Sequence, residues 1–295
     1  MPTNQSFIGR HPVQIYFVLT FFVSWGGVLI LGSPYGMPTT VEQFQRVWPI
    51  VFIPYFLGPT IAGLLMTGLV SGRAGFRDLR ARLLRWRVSI RWYAVALLVA
   101  PILVASVALL LSLGSADFLP TVVTADDKIG LVLTGVVVGL VFGGFLEELG
   151  WTGFAVPSHR RAHSIISTGL LVGVLHGLWH VLPTFWATGD ESGALSLPDF
   201  IPPLFFYAGV LPAYRILMVW VYDRTDSLLV SMLMHASLTA SAPWILLPAV
   251  TGMALVVYYL VLIAAVWSVV ALVLARSRRR QETAKAGRAR YGVAP

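Results

Sequence analysis

Long apolar runs alternate with short polar connections along the whole chain of 295 residues. A helix needs roughly 20 apolar residues to cross a hydrocarbon core of about 30 Å. Eight runs come near this length, at residues 13–31, 49–70, 92–113, 129–146, 165–186, 201–222, 228–247 and 252–275. The first run lacks a convincing small-residue cleavage site, and we interpret it as an uncleaved span. The pattern predicts an all-α polytopic membrane protein of about eight transmembrane helices, in which residues 1–275 form a single membrane-embedded domain.

The basic residues fall in alternate connections between these runs. They are Arg73, Arg77, Arg80, Arg82, Arg85, Arg87, Arg91, Arg160, Arg161 and Arg224, with Arg276, Arg278, Arg279, Arg280, Lys285, Arg288 and Arg290 in the tail. The opposite connections hold Arg46 and Lys128 together with the acids Glu42, Asp117, Asp126, Asp127, Asp190, Glu191 and Asp199. The positive-inside rule predicts a multi-pass protein of the cell membrane with both termini cytoplasmic. Seven spans would break this alternation.

Two basic segments flank the predicted spans. Residues 73–92 combine arginines with apolar residues at helical spacing. Such a segment is typical of an amphipathic helix on the cytoplasmic leaflet, where anionic lipid headgroups attract the arginines. A surface that docks substrate is the alternative. The tail at 276–295 is polar and basic, and we predict that it is disordered.

The composition excludes several classes of function. Hydrophobic residues make up 57% of the chain and charged residues 12%, whereas about 25% of residues in a soluble domain are charged. The net charge of +8 comes from residues that set the topology, so we expect no nucleic-acid partner. Cysteine is absent, which excludes disulfides, thiolate nucleophiles and Cys-ligated zinc. Any metal would therefore rest on histidine and carboxylate ligands.

Ionisable residues of the apolar runs are concentrated in runs four to seven. They are Glu147, Glu148, His176, His180, Arg215 and His235. Such residues are rare inside a membrane and pair with one another, so we expect one shared polar site. The adjacent carboxylates favour a general base, because partial desolvation and a like-charged neighbour strengthen a carboxylate as a proton acceptor. The alternative is that one carboxylate reaches headgroup water where the helix leaves the membrane.

Three histidines and one arginine offer partners to the carboxylates. His176 and His180 lie one turn apart on one helix face, a spacing that suits either a zinc chelate or two buried hydrogen-bonding imidazoles. The helical zincin signature is absent. Arg215 and His235 lie at a similar depth, about 12 Å from the cytoplasmic ends of their runs. Arg215 is predicted to pair with one of the carboxylates; the alternative is an arginine that extends to the headgroups.

The depths of these residues disagree if every helix is ideal. Counted from Ser164, His180 lies roughly 24 Å into the membrane, whereas Glu147 lies within a few Å of the cytoplasmic surface. Two solutions remain open. Run five begins deeper than Ser164, or run four continues past Trp151 as far as Pro157.

Three short motifs follow one another in runs four, five and seven. They are Glu147-Glu148-Leu149-Gly150-Trp151-Thr152, His176-Gly177-Leu178-Trp179-His180 and His235-Ala236-Ser237-Leu238-Thr239. Together they resemble the patterns EExxxR, aromatic-xxxH and HxxxN of the CPBP family of intramembrane glutamic endopeptidases. This family includes type II CAAX prenyl proteases and bacterial bacteriocin-processing or self-immunity proteins. The resemblance covers roughly residues 73–242 and implies an eight-helix membrane domain.

The resemblance also implies roles for these residues. Glu147 would activate water, Glu148 would assist or position it, and His180 and His235 would bind the water or stabilise the oxyanion. This mechanism requires no cofactor; if a metal takes part, we expect zinc on Glu147, His180 and His235. The partner would be a membrane-associated peptide or protein that is cleaved near the cytoplasmic face.

Three positions depart from the family patterns. Thr152 replaces an arginine, Thr239 replaces an asparagine, and His176 replaces an aromatic residue. We hypothesise that Arg215 supplies the missing guanidinium. The leading hypothesis is an intramembrane endopeptidase; the alternatives are a catalytically silent immunity or binding scaffold and a small proton-coupled transporter. A closed cavity on the cytoplasmic side would favour hydrolysis, and a polar path to the far face would favour transport.

Overall fold

A computed structural model of the protein describes residues 7–290, with side-chain surroundings for residues 7–277. Eight helices in this part are long and apolar enough to cross a membrane: α1 Pro12–Tyr35, α2 Val41–Leu83, α3 Ile90–Ser112, α4 Lys128–Arg160, α5 Ile165–Ala187, α6 Leu197–Thr225, α7 Leu228–Ile245 and α8, whose span is Gly252–Ser277. Three short helices, Phe7–Arg10, Ala116–Phe118 and Thr121–Thr124, lie outside these spans. The described residues form no β-sheet. The prediction of an all-α protein with eight spans is confirmed.

Four of the spans contain π-helical segments. These are Val28–Gly32 in α1, Gly139–Glu147 and Trp151–Ala155 in α4, Phe206–Val210 in α6 and Ser241–Ile245 in α7. Such segments widen a helix locally and are frequent at functional sites. The longest of them ends at the first of the two adjacent glutamates.

The course of α4 resolves the disagreement in depth. The helix does not leave the membrane near Leu146 but continues through Trp151–Ala155 and Val156–Arg160. Helix α5 begins at Ile165, directly after its N-cap Ser164. Residues 149–156 are all buried, because they pack against α1 and α2 rather than meeting the surface. The glutamates are thereby drawn well inside the bundle.

Helix α2 continues beyond its span as an arginine-rich arm. It begins with a capping box between Thr40 and Gln43 and bends at Gly72, whose φ of 55° lies in the left-handed region that glycine tolerates. The predicted helix over 73–92 is too long, because residues 84–89 are not helical. The Ser227 hydroxyl donates to the Arg85 carbonyl at 2.7 Å and holds this link as the chain turns into α3.

Arg82 fastens the arm to α4. Its side chain is buried, and it donates to the carbonyl oxygens of Thr152 at 3.4 Å and Gly153 at 3.0 Å, and to the Tyr222 hydroxyl at 3.0 Å. These carbonyls lie in a π-helical segment, where the regular ladder of hydrogen bonds is altered. The arm is thus an integral part of the packed bundle as well as a basic segment at its end.

Helix α8 extends into the basic tail. Its helix runs from Gly252 to Arg290, so the prediction of a disordered tail is wrong for residues 276–290. Elongating an existing helix avoids the cost of nucleation, and this stretch is rich in Ala, Arg, Glu, Gln and Lys, which favour helix. Residues 291–295 lie outside the described residues.

Backbone contacts between glycines and neighbouring helices set the relative positions of the central spans. Helix α5 meets α6 along a ridge of Gly169, Gly173 and Gly177, where a methyl group on Gly173 would lie 2.5 Å from the Cα of Pro212. A methyl group on Gly139 of α4 would lie 2.5 Å from the carbonyl oxygen of Ala236 in α7. Small residues are the usual means by which membrane helices approach this closely. Together these contacts bring α4, α5, α6 and α7 around one central region.

Candidate active site

The structure gathers the ionisable residues of the central spans into one contiguous network. Its members are Glu147, Glu148, His176, His180, Arg215 and His235, from α4, α5, α6 and α7. Glu147 lies about 20 Å along α4 from the arginine end of that helix, at roughly 1.5 Å per residue. The glutamates therefore lie near the middle of the spans, as expected if run four continues past Trp151.

Glu148 is completely buried and neutralised by neighbours. Arg215 donates to its Oε1 at 2.7 Å, and the Thr152 hydroxyl donates to its Oε2. His235 Nδ1 lies 2.8 Å from the same Oε1, in an electrostatic contact that is not aligned as a hydrogen bond. A buried carboxylate needs such compensation, because desolvation of an unpaired charge costs several kcal/mol. Glu148 is thus occupied by the protein on both of its oxygens.

Arg215 supplies Glu148 with a guanidinium, the group that the first motif lacks at position 152. Arg215 is itself almost fully buried, so it does not extend to the headgroups. The predicted pairing of Arg215 with a carboxylate is confirmed. Thr152, one helical turn after Glu148, adds a hydroxyl donor where the family pattern has a guanidinium.

Glu147 differs from its neighbour because it faces a cavity. Its Oε2 lies 2.8 Å from His176 Nε2 and 4.0 Å from His235 Nε2, and it accepts a hydrogen bond from Trp151 Nε1 at 3.2 Å. The side chain is buried and at the same time forms part of the cavity wall. Glu147 is therefore the carboxylate of the pair that can meet a molecule inside the cavity.

His176 connects the two carboxylates. Its Nδ1 lies 3.1 Å from Arg215 NH2, and since a guanidinium only donates, Nδ1 accepts. The neutral imidazole then carries its proton on Nε2, which faces Glu147. In the second motif His176 takes the place of an aromatic residue, whereas in the structure it directly contacts Glu147.

His180 lies one step further along the network. Its Nε2 is 3.2 Å from His176 Nε2, and its Nδ1 is 3.1 Å from the Tyr55 hydroxyl. Because the single Nε2 proton of His176 is directed at Glu147, His180 Nε2 faces a protonated nitrogen and is itself unprotonated, and His180 donates through Nδ1 to Tyr55. The ring stacks on Tyr207 with centroids 4.9 Å apart. The described contacts of His180 thus hold it beside His176 and do not include either carboxylate.

A cavity of about 720 Å³ adjoins the network. Glu147, all three histidines and Thr239 contribute to its wall. Thr239 also packs over Gly143 in the π-helical part of α4. The remaining wall is mainly aromatic and aliphatic: Phe44, Trp48, Phe52, Phe56, Val138, Phe142, Pro203, Phe206, Tyr207, Leu211, Leu238, Trp244, Leu247, Leu255 and Tyr259 are among its residues. The site combines a few convergent polar groups with an apolar chamber, as ligand sites commonly do.

The network also contains a set of possible metal ligands. One donor atom each from Glu147, His176 and His235 lies within 4.8 Å of the other two. Two imidazoles and one carboxylate form the donor set of several catalytic zinc sites, so these three residue types could ligate zinc. The set includes His176 where the sequence predicted His180.

Comparisons with known proteins find similarity to membrane endopeptidases. The family model of Rce1-like type II CAAX prenyl endopeptidases matches residues 128–241, which contain all three motifs. The chain is also 20% identical over 232 residues to CAAX prenyl protease 2 of Methanococcus maripaludis. That alignment covers 77% of this chain and 82% of the relative. These findings support the predicted CPBP family and, in general terms, an intramembrane endopeptidase.

Two residues of the network were not predicted. Trp151 donates to Glu147, and Tyr55 contacts His180 from α2, a helix whose span the sequence treated as free of candidate residues. The position of Trp151, four residues after Glu147, was an available signal, because residues one turn apart share a helix face. Tyr55 lies in an apolar run, and the residues around it do not indicate a contact with His180.

Proposed function

We propose that the chain is an intramembrane endopeptidase that hydrolyses a peptide bond with a water molecule activated by Glu147. The observation that carries the proposal is that the carboxylate oxygens of the two glutamates have different contacts. Glu148 is held on both oxygens by Arg215, Thr152 and His235, whereas the described contacts of Glu147 all involve Oε2. Oε1 of Glu147 is then the oxygen that receives a proton from water.

The reaction follows from these positions. Water binds between Glu147 and His235, whose Nε2 is 4.0 Å from Glu147 Oε2, a gap that allows contact with both. His180 Nε2 offers a further acceptor. As the water oxygen bonds to the carbonyl carbon, Glu147 takes one proton, and it returns that proton to the amine when the C–N bond breaks. His235, when it is protonated on both ring nitrogens, and the Thr239 hydroxyl are the donors that stabilise the oxyanion.

Glu148 acts as a positioning residue in this proposal. It lies outside the cavity wall, and it orients His235 directly and His176 through Arg215. This assignment sharpens the earlier expectation that Glu148 assists or positions the water. Preorganised partners of this kind lower the barrier because they need no rearrangement during the reaction.

A metal is not required by this mechanism. Zinc held by Glu147, His176 and His235 would supply a Lewis acid and a more acidic water. The described hydrogen bonds favour a metal-free site, because His176 uses its Nε2 proton toward Glu147. We propose that no cofactor takes part.

The alternatives are less well supported. The departures at Thr152 and Thr239 favour a catalytically silent scaffold, but Arg215 supplies Glu148 with the guanidinium that position 152 lacks. A proton-coupled transporter needs a polar path across the membrane. The described wall of the cavity is apolar beyond the network, and residues 149–156 on the other side are buried.

A comparison of two glutamine variants tests the proposal. Glu147→Gln keeps the size of the side chain and removes the base, so an uncleaved precursor is expected to accumulate in membranes of cells that carry this variant. Glu191→Gln, at an exposed position in a connection, is the matched control and should process the precursor normally. Quantitative membrane proteomics identifies the precursor. Equal processing in both variants would refute the general-base assignment.

A further inference from the structure

We infer that Tyr55 is a positioning residue for hydrolysis, which fixes the tautomer of His180 so that the Nε2 of His180 presents a lone pair to the attacking water. The inference rests on the proposed function, because it concerns a histidine of the same site. Two backbone carbonyl groups carry it. Prolines leave both without their usual donors, and side chains of α1 and α2 bind them instead.

Helix α5 is interrupted at His180. Its regular part ends at Trp179, His180 is the C-cap, and a second helical segment begins at Val181. Residue 183 is a proline, which lacks the N–H that would bind the Trp179 carbonyl in a continuous helix. That carbonyl, one residue before His180, is therefore available to side chains of other helices.

Two side chains bind the Trp179 carbonyl. Trp25 of α1 donates to it through Nε1 at 2.9 Å, and the hydroxyl of Tyr55 in α2 donates to it at 3.5 Å. The Tyr55 ring also stacks on the Trp179 ring, with centroids 3.9 Å apart and planes inclined by 14°. Tyr55 is fully buried, so protein contacts set its position. They hold its hydroxyl 3.1 Å from Nδ1 of His180.

A second proline helps to fix the main chain at Tyr55. Pro59, four residues further on, lacks the N–H that would bind the Tyr55 carbonyl, and the Ser24 hydroxyl of α1 donates to that carbonyl at 2.7 Å. Helix α1 can approach this closely because residue 58 is glycine, where a methyl group would collide with Ser24 Oγ. Tyr55 is therefore tied to α1 through its main chain and to α5 through its ring and hydroxyl.

The hydrogen bonds of Tyr55 select one tautomer of His180. A carbonyl only accepts, so the single hydroxyl proton of Tyr55 is directed at Trp179, and the hydroxyl oxygen accepts from Nδ1 of His180. A neutral imidazole with its proton on Nδ1 has a lone pair on Nε2. His180 lines the cavity, whereas Tyr55 is not among the described residues of the wall. Tyr55 thus acts on the water through His180 and does not contact the substrate.

Removal of the hydroxyl tests the inference. Tyr55→Phe keeps the ring that stacks on Trp179 and leaves Nδ1 of His180 without its acceptor, so the imidazole can take the other tautomer. Tyr258→Phe is the matched control. Tyr258 is also fully buried, lies outside the cavity wall, and has no hydrogen-bond partner for its hydroxyl in the described part of the chain.

Kinetics of the purified proteins are measured on the precursor that accumulates in Glu147→Gln cells. We expect Tyr55→Phe to lower kcat about tenfold or more while KM stays within about threefold of the wild type, because the chemical step is affected and the cavity wall is not. Tyr258→Phe should change neither constant. Thermal unfolding of both variants in detergent separates a loss of folded protein from a loss of rate.

Solid-state NMR of the protein in liposomes, with its six histidines labelled with ¹⁵N, reads the tautomer directly. Protonated and unprotonated ring nitrogens have well-separated chemical shifts, and His180→Gln identifies the signals of His180. We expect the proton on Nδ1 of His180 in the wild type and in Tyr258→Phe. In Tyr55→Phe, Nε2 should gain it.

Three results would overturn the inference. The first is a wild-type His180 that is protonated on Nε2. The second is a Tyr55→Phe protein with the wild-type kcat, and the third is one that loses activity with its tautomer unchanged, since Tyr55 would then act through packing. The spectra do not depend on catalysis. If no precursor accumulates in Glu147→Gln cells, the proposed function fails, while the spectra still decide whether Tyr55 sets the tautomer of His180.

Discussion

Arg215 donates a hydrogen bond to Nδ1 of His176 at 3.1 Å, and this contact decides which nitrogen of the imidazole faces Glu147. The same guanidinium binds Glu148 through its other arm at 2.7 Å. One buried side chain from α6 thereby orients a histidine of α5 and a glutamate of α4. The two adjacent glutamates are distinguished by their partners more than by their positions in the chain.

Replacement of Arg215 by lysine separates its charge from its geometry. Lysine keeps a positive charge but cannot bind Glu148 and His176 through a planar fork. We expect Arg215→Lys to lower the cleavage rate at least tenfold, with the protein still inserted and folded. Cleavage of the precursor and thermal unfolding in detergent measure the two effects. Arg161→Lys, at an exposed position, is the control. A wild-type rate for Arg215→Lys would show that the fork is unnecessary.

Arg215→Ala has a different expected result. It leaves the buried Glu148 without its cation, and breaking such a pair typically destabilises a protein by about 3–5 kcal/mol. The yield of folded protein should therefore fall in this variant, and the loss of stability alone would lower its activity. An Arg215→Ala protein as stable as the wild type would contradict the importance of the ion pair for folding.

Thr152 provides a test of the hydroxyl that replaces the family arginine. Thr152→Val keeps the shape and removes the donor to Glu148, and a hydrogen bond to a charged group contributes about 1.5–3 kcal/mol. Thr152→Val should unfold at a lower temperature than the wild type, while Thr152→Ser, which keeps the hydroxyl, should remain close to it. If both variants lose the same stability, packing rather than the hydrogen bond is responsible.

His176 stands where the family pattern has an aromatic residue, so His176→Phe restores that pattern. In this protein the change would leave Glu147 and Arg215 without a shared partner. We expect His176→Phe to reduce cleavage at least tenfold, although it brings the chain closer to its family. Leu178→Phe, at an exposed position of the same helix, is the control. Full activity of His176→Phe would mean that His176 does not position Glu147.

Arg82 is expected to affect the site from a distance. Arg82→Met keeps much of the side-chain length and removes the donors to Thr152, Gly153 and Tyr222. Because these contacts hold the π-helical segment that follows Glu148, both thermal stability and cleavage should fall. Tyr222→Phe removes one of the contacts and should have a smaller effect. An unchanged melting temperature in Arg82→Met would show that the arm does not brace α4.

Removal of metal ions distinguishes a metal-free site from a zinc site on Glu147, His176 and His235. Cleavage by purified protein is expected to survive exhaustive chelation, because His176 donates toward Glu147 and does not present a lone pair there. Addition of zinc to the chelated protein should not raise the rate. A loss of activity that zinc restores would instead assign a metal to Glu147, His176 and His235.

The sequence predicted the spans and most of the network for identifiable reasons. Hydropathy and the distribution of arginines predicted eight helices, since both follow from the physics of the bilayer. The rarity of charge inside a membrane predicted that Arg215 pairs with a carboxylate, which it does. The roles of the site residues stay predictions until the variants described above are tested.

Other features were decided by tertiary packing and were not predictable from periodicity. The end of run four was misplaced because residues 149–156 are buried against other helices, which local hydropathy does not report. The contact of His176 with Glu147 depends on the rotation of α5 relative to α4, and the motifs alone favoured His180.

The ridge of Gly169, Gly173 and Gly177 limits how this site can evolve. Because α5 and α6 touch through their main chains there, the spacing between His176 and Arg215 is set by backbone contact and leaves no side chain to adjust it. A substitution on the ridge would shift the whole helix and both histidines with it. Changes in specificity are therefore expected to arise in the apolar wall of the cavity, while the reacting groups keep a fixed register.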